Sequence, residues 1–204
     1  MKMKLFLTAV SALIAGGLYA GEVPPVGSAA PEFSLPDANG KTYSLTDYKG
    51  KYVVLEWFNP ECPFVKKHYG SDNMQKLQRE YTDKGVAWFT IDSNAPGTEG
   101  NLTPEQAQKV MASWKTKQTA FLLDPESNVA KLYGAKNTPD MIVINPEGKI
   151  VYEGAIDSKA SPNPADIPSS TNYVKAALDE SLAGKPVSNP ATKPYGCSVK
   201  YKSS

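Results

Sequence analysis

The sequence predicts an α/β fold in which helices flank a mixed central sheet, with an N-terminal β-hairpin and an extended C-terminal tail. Three observations favour this fold. Apolar runs of strand length, such as 52–58 and 86–91, are continuous, as in strands that are buried on both faces. Segments with apolar residues three and four positions apart lie between such runs and are typical of helices. Asn39-Gly40 separates two short alternating segments, which is a strong hairpin signal.

The first half of the chain predicts a hairpin followed by a strand–helix–strand unit. Its predicted elements are, in chain order, hairpin strands at 31–35 and 42–45, a helical turn at 45–48, a strand at 52–58, a helix and a strand at 86–91. Proline is favoured at the first position of a helix, so the helix should begin at Pro63, directly after Cys62. Gly70 should interrupt this helix before the helical spacing resumes at Met74.

The second half predicts two further helices, a second hairpin and a last helix. Its predicted elements are a helix from Thr103, a strand at 120–123, a helix from Asp124-Pro125, hairpin strands at 141–144 and 150–152, and a helix at 172–182. The segment 103–106 has the spacing of a capping box, with proline at the first helical position. We expect one domain at 21–184, followed by a Pro-rich tail at 185–204 that carries Cys197.

The first twenty residues predict a secretory signal peptide. Lys2 and Lys4 form a positively charged start, an apolar stretch runs from 5 to 18, and Ala20 offers a small residue for cleavage. An N-terminal membrane anchor is the alternative, but the stretch is shorter than the roughly 20 residues that span a bilayer. We therefore expect a periplasmic or secreted protein with no stable membrane association after cleavage.

The charge balance argues against nucleic acid as a partner. The 204 residues include 22 basic and 21 acidic side chains, and no segment gathers basic residues into a stripe. The sequence also lacks a glycine-rich phosphate loop and a Ser–His–acid set. No cofactor or metal is expected, because His68 is the only histidine and the two cysteines lie far apart in the chain.

Cys62 has the sequence context of a reactive thiol. It follows an apolar strand and a short turn, and it stands where a helix should begin. Unpaired N–H groups and the positive end of the helix dipole stabilise a thiolate at such a position and lower its pKa. In an exported chain, the pair Cys62 and Cys197 also suggests a disulfide. Cys197 could resolve an oxidised Cys62 in a catalytic cycle, or the bond could be permanent and structural.

Several stretches resemble the thioredoxin-like superfamily, on its peroxiredoxin side of redoxin and alkyl hydroperoxide reductase–thiol-specific antioxidant proteins. They are PEFSLPDANGKTYSLTDYKGKYVVLEWF, CPFVKKHY, IDSN, the pair Thr138-Pro139 and KPYGCSVKY. The resemblance covers the mature chain and implies a thioredoxin-like fold with Cys62 and Cys197 as catalytic residues. It also implies that Thr138-Pro139 contains a cis-proline facing Cys62. Residues expected to contact the substrate are Trp57, Asn59, Pro63, Thr138 and Pro139.

The chain departs from both relatives at Asn59. Thioredoxins carry two cysteines with two residues between them, and Asn59 stands at the first position if Cys62 is the second. Peroxiredoxins carry a threonine at the Asn59 position and an arginine near the position of Thr138-Pro139, whereas Arg79 is the only arginine here. Asn59 could donate to the Cys62 sulfur or serve only as a turn residue. Glu56 could act as a buried proton shuttle or be a fully hydrogen-bonded structural group.

Three functions fit these features. The first is an antioxidant, peroxiredoxin-like enzyme in which Cys62 attacks a peroxide and Cys197 or an external thiol reductant resolves the product. The second is a thiol–disulfide exchange protein with Cys62 as its single nucleophile. The third is a non-catalytic thioredoxin-like scaffold with a structural Cys62–Cys197 disulfide.

Overall fold

The structure is a computed structural model that describes residues 23–203, so the predicted signal peptide lies outside the described residues. The strands are β1 (Ser34–Pro36), β2 (Thr42–Ser44), β3 (Val53–Trp57), β4 (Ala87–Asp92), β5 (Ala120–Leu123), β6 (Asn137–Thr138), β7 (Asp140–Ile144), β8 (Ile150–Gly154) and β9 (Cys197–Ser198). The α-helices are α1 (Pro63–Gly70), α2 (Asn73–Asp83), α3 (Pro104–Trp114), α4 (Asn128–Tyr133) and α5 (Tyr173–Leu182). Two 3-10 helices cover Leu45–Tyr48 and Pro164–Ser169. None of the helices within 23–203 is long and apolar enough to cross a membrane.

The central sheet has the strand order β5-β4-β3-β7-β8. β3 and β5 run parallel to β4, whereas β7 is antiparallel to both β3 and β8. The sheet is therefore mixed and flanked by helices, which confirms the predicted fold class. Every residue of the central strand β3 is buried, and this explains the continuous apolar run, because layers pack on both of its faces.

Alternate residues of β3 contribute to two separate cores. One core contains Leu55 and Trp57 and packs against the β1–β2 hairpin and α4. The other core contains Val54 and Cys62 and includes the inner faces of α1, α2 and α5. Successive side chains of a strand point to opposite faces, so Trp57 lies on the side of the sheet away from Cys62.

Local signals place most helix boundaries. The first predicted helix is interrupted after Gly70, as predicted, and continues as α2. α3 begins with the predicted capping box, in which Thr103 and Gln106 exchange side-chain and backbone hydrogen bonds. α4 begins at Asn128, later than predicted, because the Asp124 carboxylate accepts the first three N–H groups of this helix. Asp124 thus caps the helix from outside it.

The C-terminal tail folds back and pairs with the body of the protein. β9 is antiparallel to β6, with Cys197 opposite Thr138. The sequence predicts an extended tail but not this pairing, since strands of two residues leave no periodic signal. The tail backbone passes so close to Thr138 that position 196 requires glycine. Its φ is +127°, and a Cβ there would lie 2.0 Å from the Thr138 carbonyl oxygen.

Candidate active site

Cys62 is the N-cap residue of α1 and directly precedes Pro63. The N–H groups in the first turn of a helix have no partners within the helix, and the helix dipole is positive at this end. The backbone of Val65, in the first turn of α1, favours the Cys62 thiolate and lowers its pKa. The Cys62 side chain is 0% exposed.

The start of α1 shows which cysteine of a thioredoxin two-cysteine motif Cys62 corresponds to. The sequence prediction put Asn59 at the first cysteine position and Cys62 at the second. In the structure, the helix N-terminus that stabilises a nucleophilic thiolate belongs to Cys62, whereas Asn59 lies in the preceding turn. Cys62 therefore corresponds to the first cysteine of such a motif. Val65, which is buried in the first turn of α1, takes the position of the second cysteine.

Strand β6 and the following proline form the wall opposite Cys62. The Thr138–Pro139 peptide bond is cis, as the resemblance implies. The Cys62 thiol donates a hydrogen bond of 3.1 Å to the Thr138 carbonyl oxygen. The wall contacts the sulfur through its backbone, because the contacting atom is this carbonyl oxygen. Thr138 and Pro139 are both buried.

Strand β9 brings the second sulfur to this wall. Both cysteines are free thiols, and the side chain and backbone of Cys197 lie close enough to Cys62 to lower the pKa of its thiol. Burial alone raises the pKa of Cys62, but the neighbouring groups of Cys197 and Val65 outweigh it and hold the pKa below its ordinary value. Burial and the Cys62 sulfur raise the pKa of Cys197 to about 12. The pair therefore combines an acidic thiol, Cys62, with one that keeps its proton.

A buried ion pair links α1 to the tail. The Lys67 ammonium group donates to an Asp157 carboxylate oxygen at 3.0 Å, and the two side chains are 0% and 1% exposed. The other Asp157 oxygen accepts a hydrogen bond from the hydroxyl of Tyr195. Asp157 therefore connects the helix that follows Cys62 to the segment that leads into Cys197.

Sequence reasoning missed this ion pair. Lys67 follows Lys66 in a run that is typical of a solvated helix face, yet only Lys66 is exposed. Asp157 lies in a loop without a motif and far from Lys67 in the chain. The one available signal was Tyr195, which belongs to the KPYGCSVKY stretch on which the resemblance partly rests.

Two of the predicted substrate contacts, Trp57 and Asn59, are buried. Trp57 is 0% exposed, donates through Nε1 to the Ser93 hydroxyl at 3.2 Å and lies in the core away from Cys62. Asn59 is also 0% exposed, and its Oδ1 accepts the N–H of Glu61 at 2.8 Å, so it is a turn residue. Loop residue Gly100 covers it, since a Cβ there would lie 2.3 Å from the Asn59 side chain. Substrate contact by these two side chains stays a prediction.

The other three predicted contacts, Pro63, Thr138 and Pro139, lie beside Cys62, but only Pro63 is exposed. Thr138 and Pro139 form the wall against the sulfur, but the tail covers them. Substrate contact by these three residues stays a prediction.

The remaining candidate groups do not reach the thiol. Arg79 is paired with Asp72 on α2 at 3.0 Å. Glu56 is buried and accepts hydrogen bonds from Tyr69, Gln78, Trp88 and Thr90. Burial raises the pKa of Glu56 although these four bonds lower it, and the arrangement is that of a satisfied structural group. Among the described residues, no three His, Cys, Asp or Glu side chains gather as metal ligands.

The fold and the cysteine site define a thiol-based oxidoreductase with a thioredoxin-like fold. The sequence pattern of the AhpC/TSA family matches residues 26–153, and the chain belongs to this family.

Known proteins with the same architecture include thiol-disulfide enzymes. Thiol-disulfide oxidoreductase ResA from Bacillus cereus is 26% identical over 154 residues, which cover 73% of this chain and 83% of that protein. The crystal structure of an uncharacterized conserved protein from Geobacillus kaustophilus matches with a TM-score of 0.75 and 32% identity, over 88% of this chain and 94% of that one. The crystal structure of a hypothetical protein from Sinorhizobium meliloti 1021 matches with a TM-score of 0.73 and 27% identity, over 90% of this chain and 98% of that one.

Proposed function

We propose that this chain is an exported thiol–disulfide oxidoreductase whose reactive couple is Cys62 and Cys197. One observation carries the proposal: β9 holds Cys197 against Cys62 at a helix end that stabilises a thiolate. The similarity to ResA, which is named a thiol-disulfide oxidoreductase, supports exchange as the chemistry. The signal-like residues 1–20 support export to the periplasm or the medium, and the mature chain would then comprise the domain at 21–184 and the tail at 185–204.

The proposed cycle has two exchange steps. The Cys62 thiolate attacks one sulfur of a substrate disulfide, and the other sulfur leaves as a thiolate. Cys197 then gives up its proton and attacks the Cys62 sulfur, which releases the second substrate thiolate. The substrate gains two electrons and the protein gains a Cys62–Cys197 disulfide, which an external thiol reductant reopens. The lowered pKa of Cys62 suits it both to attack and to leave near neutral pH.

The proposal is tested with reduced protein and a stoichiometric amount of glutathione disulfide. We expect both thiols of each chain to be lost and a Cys62–Cys197 bond to be located by mass spectrometry. Cys62→Ser should abolish the reaction, and Cys197→Ser should stop at a mixed disulfide on Cys62. Retention of both thiols would refute the proposal. A bond that resists strong reductant until the protein is unfolded would indicate a structural disulfide instead.

Peroxide reduction is the second candidate, and membership of the AhpC/TSA family favours it. The Cys62 thiolate would attack a peroxide oxygen, water would leave, and Cys197 would condense with the sulfenic acid with loss of a second water. Arg79 is bound to Asp72, so it does not stabilise the leaving oxygen. We therefore expect hydrogen peroxide to oxidise Cys62 more slowly than glutathione disulfide does. The opposite order in the same assay would make peroxide reduction the better assignment.

A further inference from the structure

We propose that β9 restricts this site to low-molecular-weight thiols and disulfides by filling the strand edge at which an extended polypeptide would bind. The inference rests on the proposed function, because it names the substrate class of the same Cys62–Cys197 site. An extended polypeptide commonly binds by adding itself as a strand to an unpaired sheet edge. The strand beside the reactive sulfur is β6, since its Thr138 carbonyl oxygen lies 3.1 Å from the Cys62 sulfur.

The edge of β6 is already paired. Residues 137–138 pair with 197–198 in antiparallel register. The N–H of Val199 extends the pairing by donating to the Lys136 carbonyl oxygen at 2.9 Å. A polypeptide that carried a disulfide would have to break this pairing before its own backbone could take the same place.

The tail is fixed on both sides of β9. On the N-terminal side, the hydroxyl of Tyr195 is bound to the buried Asp157 carboxylate. On the C-terminal side, the Lys200 N–H donates to Asn94 Oδ1 at 3.1 Å, and the Lys200 carbonyl oxygen accepts the N–H of Ala95 at 2.7 Å. Because both sides are held, β9 is not a loose end that would swing away when a polypeptide approaches.

The contact between the tail and β6 is also too close for a third chain. Gly196 passes so near to Thr138 that an added Cβ would lie 2.0 Å from the carbonyl oxygen. Cys197 is half-buried and covers Cys62, which is 0% exposed. A small disulfide does not bind by adding a strand, so the pairing of β6 with β9 does not compete with it for backbone hydrogen bonds.

The test displaces β9 without altering Cys62. Gly196→Ala has to move the tail backbone away from Thr138, since the alanine Cβ cannot occupy a position 2.0 Å from an oxygen. Gly70→Ala is the matched control, because no atom lies within 4 Å of the Cβ position there. Both changes are made in a Cys197→Ser protein, so that the assay measures only the formation of a mixed disulfide on Cys62.

Two substrates are compared, and for the second only the adduct in which the peptide sulfur is bonded to Cys62 is counted by mass spectrometry, so that glutathione is the leaving group in both cases. One is glutathione disulfide, and the other is an unstructured peptide whose cysteine forms a mixed disulfide with glutathione. We expect the Cys197→Ser protein to react with glutathione disulfide at least about tenfold faster than with the peptide. Gly196→Ala should raise the rate with the peptide about tenfold, which is the effect of losing one or two hydrogen bonds. Gly70→Ala should leave both rates unchanged. A peptide rate that equals the small-molecule rate, or that Gly196→Ala does not raise, would overturn the proposal.

Hydrogen exchange separates this inference from the proposed function, because it does not depend on thiol chemistry. The amide of Val199, whose N–H donates to the Lys136 carbonyl oxygen, should be protected in the reduced wild type and should lose this protection in Gly196→Ala. Rapid exchange in the wild type would overturn the proposal that β9 fills the edge of β6, even if Cys62 reacts with disulfides. Protection of this amide together with an unreactive Cys62 would refute the proposed function and would support the proposal that β9 fills the edge of β6.

Discussion

Replacing Asp157 by asparagine should destabilise the protein, because within residues 23–203 the Asp157 carboxylate is the only counterion of the buried Lys67 ammonium group. The two groups are 3.0 Å apart, with side chains that are 1% and 0% exposed. Burial alone raises the pKa of Asp157, but hydrogen bonds from Tyr195, from the Lys159 N–H and from Lys67 outweigh it and hold the pKa below its ordinary value. Asparagine keeps the shape of the side chain and removes its charge, so Lys67 would remain buried without a counterion and would keep its hydrogen bond to the Lys159 carbonyl oxygen.

The size of the effect follows from the burial of the pair. Removing one partner of a buried ion pair costs about 3–5 kcal/mol. In a chain of this length 1 kcal/mol corresponds to about 2–4 °C, so the melting temperature should fall by roughly 6–20 °C. A depressed pKa in the folded state means that the stabilisation is present above the unfolded-state pKa and is lost as the pH falls through the folded-state value. The difference between wild type and variant should therefore shrink below about pH 4.

The assay is urea denaturation of the reduced proteins, followed by tryptophan fluorescence. Asp72→Asn is the matched control, because Asp72 also pairs with a cation, Arg79, but is 48% exposed. Solvent screens such a pair, so this control should lose much less stability. Adding Lys67→Met to Asp157→Asn should recover part of the loss, because it removes the uncompensated charge. The reasoning is refuted if Asp157→Asn loses no more stability than Asp72→Asn.

Two further predictions concern groups that titrate near the cysteine pair. Cys197→Ala removes the neighbouring thiol that lowers the pKa of Cys62, so this pKa should rise in a titration of thiolate ultraviolet absorbance. An unchanged pKa would mean that the Cys197 side chain does not contribute to it. Burial raises the pKa of Asp140 to about 7, so its contribution to stability should fall by up to about 4 kcal/mol as the pH rises from about 4 to 7. Asp140→Asn should remove this fall in urea denaturation repeated across that range, and the same pH dependence in both proteins would contradict the argument.

Elements with strong local signals were predictable from the sequence. The apolar run around β3 indicated a strand covered on both faces, and the hairpin signal at Asn39-Gly40 joins β1 and β2 as expected. The capping box at Thr103 gave the start of α3 to the residue. These signals succeed because hydrophobic periodicity, capping and turn chemistry act over a few neighbouring residues.

The candidate site was predictable only in part. The strand–turn–proline context marked Cys62 as the residue before a helix, and it is the N-cap of α1. The same context suggested substrate contacts for Trp57 and Asn59, yet one lies in the opposite core and the other is locked in its turn. Exposure depends on which layers cover a segment, and neighbouring residues in the sequence do not report this.

By itself, the sequence determined a mixed α/β fold, a thiol at a helix N-terminus and a second cysteine near the end of the chain, because each follows from local pattern or count. Only the tertiary structure decided that this second cysteine, Cys197, lies against Cys62 and lowers its pKa. The tail is held at this place by the pairing of β9 with β6, by the close passage of Gly196 over Thr138 and by the hydrogen bond from Tyr195 to Asp157. Each of these contacts joins residues that are distant in the chain, and their free energies arise only when folding removes both partners from water.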